Sequence, residues 1–321
     1  MQLKHVVTLA VGATIYAGAA TAQNFPTRTI RAIVPYAPGG STDVVMRVIA
    51  PRMAEMLGQQ VVVENRPGGS STIGLDIAAK AAADGHTIGI ANVTFCANPS
   101  LIRKMPFDSE KDLLPVSFMS LVTLVLTVHP SVPAKSVKDL IALAKAKPDS
   151  LNYASAGNVS ANHLATERFS SATGIRMTHV PYKGGGPAVI SLLSGETALL
   201  LATIPSSIQH FKTGKLRPLG VSSLKRSVAL PEVPSIAESA VPGFESNEWN
   251  GALVPAGTPR GAIDRLHQAI AKSMAIPEVR ERIIALGAEP VGNSPEEFGG
   301  FIKREFSAWA KIIKEVGIKV E

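Results

Sequence analysis

Hydrophobic positions along the chain follow two alternating rhythms. β-Branched runs at residues 29–35, 61–64 and 87–91 read as strands, and apolar residues spaced three and four apart over 41–57 and 71–83 read as helices. Val45, Ile49, Met53 and Leu57 share one face of the first helix, and Gly58 marks its end. The alternation resumes with helix 137–147, strand 151–154, helix 160–173, strand 177–180, helix 187–194, strand 198–202, helix 206–213 and strand 216–221. Strands separated by helices of this length imply parallel sheets covered on both faces. The C-terminal third reads as mainly helical, with apolar stripes over 260–274 and 295–316 that serve as packing faces.

Two apolar segments need separate treatment. Residues 113–134 contain no Lys, Arg, Asp or Glu, but they hold Pro115, Pro130 and Pro133. Prolines and β-branched residues disfavour a membrane helix, so the centre of this segment is expected to be a strand buried on both faces that crosses between domains. Residues 1–22 combine a basic start at Lys4, an apolar run and small residues at Ala20 and Ala22. That pattern predicts a signal peptide cleaved after Ala22 and a periplasmic product.

Composition narrows the reading. A chain of 321 residues exceeds what one core usually serves, so two domains are expected. The single cysteine, Cys96, excludes an internal disulfide framework and a cysteine-based zinc cluster. The net charge of +7 suits an anionic partner, but the Lys and Arg residues are scattered without interleaved aromatics, which argues against nucleic acid.

Candidate chemistry lies in glycine- and hydroxyl-rich loops, each between a strand and the next helix: residues 36–43, 67–71, 155–160 and 183–187. Helix N-termini offer unpaired N–H groups and partial positive charge, and glycine lets a ligand approach the backbone. Such loops suit a carboxylate or phosphate. Any one of them alone is better read as a cap or turn than as a binding loop, and it is their recurrence that carries weight. Catalytic signatures fail: Asp43 stands where a nucleophile elbow needs its second glycine, and Ser222 with Lys225 lacks the companion motifs of its class. Neither a zinc-protease helix nor a phosphate-binding P-loop occurs. His163 and His179 read as packed or capping residues. No catalytic residue, metal or cofactor is expected.

Six ordered stretches resemble one family: IVPYAPGGSTD at 33–43, VENRPGG at 63–69, NYASAGN at 152–158 with HLA at 163–165, HVPYKG at 179–184 and VPAGTP at 254–259. The chain resembles the Bug-type extracytoplasmic solute receptors, the binding components of tripartite tricarboxylate transporters. The resemblance implies an α/β periplasmic binding protein, type II-like, with two lobes joined by a two-segment hinge and a ligand cleft between them. Residues 23–124 with 224–321 would form one discontinuous lobe and 125–223 the other. It implies a monomer that holds a small organic anion, commonly a carboxylate, and delivers it to membrane transporter subunits.

Carried over by position, Tyr36, Gly39, Gly40, Ser41, Thr42 and Thr94 would hold the ligand from one side, and Ala156, Gly157, Asn158, Gly184, Gly185 and Thr203 from the other. Ser160 would cap the helix behind them, and Asp43 would brace its loop. Family members that bind amino acids often carry an aspartate where this chain has Thr203, which points to a carboxylate without an α-amine, such as a di- or tricarboxylate or an aromatic acid. A sensory receptor for a membrane kinase and a periplasmic enzyme acting on carboxylates remain open alternatives.

Overall fold

The computed structural model describes residues 25–316, so the expected signal peptide lies outside the described residues. Strand β1 (Ile30–Val34) runs parallel to β2 (Val61–Asn65) on one side and to β3 (Thr87–Ala91) on the other. Helices α1 (Ser41–Leu57) and α2 (Thr72–Ala79) make the crossovers, and a 3-10 turn at Gly69–Ser71 precedes α2. Helix α1 ends at Gly58, whose φ of 69° is the left-handed conformation that suits glycine. Helix α3 (Val93–Leu101) follows, a helix the apolar spacing does not announce.

Strand β4 (Leu113–Val128) organises the molecule. Its first part pairs antiparallel with β9 (Asn247–Pro255), ending at Thr123 opposite Asn247. From Leu124 onward it pairs with β7 (Leu199–Thr203) and β8 (Arg217–Val221) instead. The uncharged segment is therefore a strand shared by two sheets, and no helix among the described residues is long and apolar enough to cross a membrane. The second sheet repeats the first one's logic. β5 (Asn152–Ser155) lies parallel to β6 (Thr178–Pro181) and β7, with α4 (Val137–Ala146), α5 (Ala161–Thr173), α6 (Gly185–Leu193) and α7 (Ile204–Lys212) on its faces.

Apolar burial follows the same division. Val45, Ile49 and Met53 of α1 pack with Leu266 and Ile270 of α9 (Arg260–Ala275) over one face of the first sheet. Phe298 and Trp309 of α11 (Pro295–Val316) pack with Phe95 and Trp249 over the other. Leu124, Leu126 and Val128 belong to a core built around the second sheet.

Two expectations are corrected. The C-terminal third, though mainly helical, also contains β9, a nine-residue strand that goes unannounced because Asn247, Glu248 and Asn250 interrupt its apolar run. Short elements α8 (Ile236–Ser239), α10 (Pro277–Ala285) and β10 (Ala288–Pro290) complete that third. The chain also returns later than the expected boundary between residues 223 and 224: Leu230, Val233, Ile236 and Phe244 all pack into the second set of cores. A parallel bridge between Val221 and Ser235, and a capping box at Ser235 and Glu238, hold that proline-containing stretch there.

Candidate ligand-binding cleft

Three helix N-termini with no side-chain cap meet between the two sheets: α1 at Gly40, α6 at Gly184 and α7 at Thr203. Their N-terminal residues line a small cavity of about 20 Å³, together bounded by Tyr36, Gly40, Ser41, Thr42, Asn92, Ala156, Ser160, Ala161, Asn162, Gly185, Thr203 and Glu248. An outer cavity of about 270 Å³ shares Tyr36 and Ala156 and adds Ser70, Ser71, Gly157, Asn158, Tyr182 and Lys183. The inner space is about the size of one water, so the loops are drawn together. Ala37 N donates to Lys183 O at 2.9 Å across the cleft. A Cβ on Gly184 would fall 2.8 Å from Ala37 N, and one on Gly185 would fall 3.3 Å from Gly40 Cα. The two glycine runs therefore touch backbone to backbone, an approach that larger residues prevent.

Each loop is held from behind. Asp43 braces as expected: Oδ2 accepts Gly39 N at 3.0 Å, while Oδ1 accepts Arg47 Nε at 2.9 Å and Asn65 Nδ2 at 3.0 Å. Tyr36 OH donates to Asn92 Oδ1 and meets Thr94 Oγ1, both at 2.9 Å. Burial pushes the Tyr36 phenol far above its ordinary value, so it stays a neutral hydrogen-bonding group. Asn92 Oδ1 also caps α3 by accepting Thr94 N at 3.1 Å. Strand β9 supplies the remaining braces: Ser41 Oγ donates to Glu248 Oε1, and Thr42 Oγ1 donates to Asn250 Oδ1 at 2.8 Å.

On the other side Ser160 caps α5, accepting His163 N at 3.4 Å, and also lines the inner cavity. His163 Nδ1 accepts Val159 N at 3.1 Å, which holds Val159 at a φ of 65°. The His163 and His179 rings stack at 4.1 Å, and Tyr153 stacks on His179 at 4.8 Å. Burial lowers each histidine to about 4, so both are neutral at ordinary pH. Ser155 Oγ lies 2.6 Å from His179 Nε2, a nucleophile–base distance, but Ser155 is fully buried and lines neither cavity.

Of the residues carried over by position, Tyr36, Gly40, Ser41, Thr42, Ala156, Gly185 and Thr203 line the inner cavity, and Gly157 and Asn158 the outer one. Three lie elsewhere. Thr94 is fully buried behind Tyr36, also bonded to Ser71 Oγ at 2.7 Å. Gly39 and Gly184 form the contact between the loops. Sequence reasoning missed Asn92, Asn162 and Glu248. The signal for Asn92 was present, a capping residue two positions before Thr94, whereas Glu248 sits in an unannounced strand. Glu248 also changes the reasoning from Thr203, because it places a carboxyl group in the same cavity.

Fold and cleft together define a two-lobed solute-binding protein. The family model described as "Tripartite tricarboxylate transporter family receptor" matches residues 45–318, and the chain belongs to that family. Protein BugT of Bordetella pertussis is 37% identical over 322 residues, covering 100% of this chain and 99% of BugT. A solved R. palustris protein with adipate is 36% identical, with a TM-score of 0.89 over 92% of this chain and 99% of that one. MatC from Rhodopseudomonas palustris with bound malate is 30% identical, with a TM-score of 0.85 over 90% of this chain and 100% of that one.

Proposed function

We propose that this protein captures a small carboxylate in the periplasm and presents it to the membrane subunits of a tripartite tricarboxylate-type transporter. The observation that carries the reading is the convergence of three uncapped helix N-termini, from both sides of the cleft, on one desolvated cavity. Adipate and malate, held by the two solved relatives, are both dicarboxylates, which supports this ligand class. The mechanism is capture rather than chemistry. Ligand favours the closed state because only that state makes both sets of contacts, with a hinge at Thr123–Leu124 and Ser246–Asn247. A micromolar dissociation constant corresponds to about −8 kcal/mol. A few charge-assisted hydrogen bonds, at roughly 1.5–3 kcal/mol each, reach that order. Cleavage after Ala22 delivers the mature monomer to its compartment.

The test is calorimetry of adipate and malate on the mature chain, with mass spectrometry of any ligand released from the purified protein. Micromolar binding of an unaltered carboxylate is expected. Turnover of the ligand, or stabilisation by no carboxylate at all, overturns the reading.

A further inference from the structure

The inner cavity holds one acid that anion capture does not call for. Glu248 is 4% exposed, and its Oε1 accepts the hydroxyl of Ser41, the first residue of α1. Alternation along β9 puts Glu248 and Asn250 toward α1, whereas Trp249 points the other way, its Nε1 donating to Glu305. The carboxyl thus takes up a hydroxyl at the helix N-terminus where a ligand carboxylate would bind.

Among the described residues no cation shares this space. Among the residues lining the inner cavity, Tyr36 and Glu248 alone can titrate. The other charged groups face elsewhere. On α1, Asp43 is committed to Arg47, Asn65 and Gly39 N. On α5, His163 is turned to Val159 N. Lys183, ahead of α6, lines the outer cavity, and α6 and α7 contribute only Gly185 and Thr203 to the inner one. Two carboxylates in one desolvated site cannot both stay ionised, and one of them takes a proton.

We propose that Glu248 is the specificity-determining acid of the cleft, neutral in the liganded state and donating a hydrogen bond to the ligand carboxylate, so that capture takes up one proton. This rests on the carboxylate reading above. The proton comes from solvent and goes to Glu248, and no bond of the ligand changes. Burial already pushes the Glu248 carboxyl up to about 7, so the proton is within reach near neutral pH. An ionised Glu248 paired with a ligand ammonium would have the opposite pH dependence.

The experiment is calorimetry of adipate and malate on the mature chain between about pH 6.5 and pH 9, where both are dianions. Each titration is repeated in two buffers of different ionisation heat. Affinity should fall with rising pH, approaching about tenfold per unit above pH 7, with uptake of about half a proton at pH 7 and nearly one at pH 9. The Glu248→Gln variant keeps a donor of the same shape. It should bind with flat pH dependence and no proton uptake, more tightly than wild type at high pH. A wild-type affinity that is flat or rises with pH, or an unchanged slope in the variant, overturns the proposal and leaves carboxylate capture standing. Failure of both proteins to bind any carboxylate overturns the reading it rests on, and the proposal with it.

Discussion

Thr42 Oγ1 donates to Asn250 Oδ1 at 2.8 Å, joining residues 208 positions apart at the floor of the cleft. The bond fixes the first turn of α1 to the middle of β9, so the direction of the N-terminal N–H groups is set by a strand rather than by the loop itself. Thr42→Val keeps the shape and leaves Asn250 Oδ1 buried without this donor. An unsatisfied buried acceptor costs about 1–3 kcal/mol. Urea unfolding should show a loss in that range, and adipate affinity should weaken up to about tenfold by calorimetry. Unchanged values in both would show that the strand does not orient the helix.

The glycine contact between the loops yields a sharper contrast. A Cβ on Gly186 would overlap the Pro38 carbonyl oxygen, whereas one on Gly40 would meet Gly185 N at an ordinary 3.5 Å. Gly186→Ala should therefore fold but resist closure, and Gly40→Ala should close. Small-angle scattering with excess adipate should leave the Gly186 variant in its expanded form. Its affinity should drop at least about a hundredfold, because the competent state is depopulated. Compaction of that variant by ligand would contradict this.

The stacked histidines predict acid lability. His163 accepts Val159 N through Nδ1 and must be neutral there to do so. Its folded value of about 4 lies below the ordinary 6.5, so the unfolded chain binds the proton more readily. The stability from neutral His163 is thus complete above about pH 6.5 and is lost as pH falls toward 4. It is worth about 3 kcal/mol at most. His179 follows the same direction. The unfolding midpoint should fall steadily over that interval, and His163→Gln should flatten the fall. An equal slope in the variant would place the sensitivity elsewhere.

Much of the framework is legible in the amino-acid sequence. Helix α1 runs over the residues its periodicity marks, because its apolar stripe, its glycine stop and its burial agree. β4 was legible because three prolines and no charge leave few other readings of residues 113–134. β9 was not, since Asn247, Glu248 and Asn250 interrupt the pattern that burial alone would write, Glu248 as part of the cavity lining and Asn250 as the acceptor for Thr42. The site divides similarly. Loop residues such as Gly40 and Ser41 stand next to a visible strand–helix junction. Asn162 and Glu248 reach the cavity only through the tertiary arrangement, which no local spacing encodes.

The close approach of the glycine runs has a consequence for how ligand preference can diversify. A Cβ at Gly184 or Gly186 meets the facing loop, so those runs have little room for side chains that tell one acid from another. Variation in what is recognised is left to the cavity positions carried by regular structure: Glu248 on β9, Asn162 in the first turn of α5 and Thr203 at the end of β7. The clasp and the sensor are thereby separate parts, and the second can be rewritten while the first still shuts.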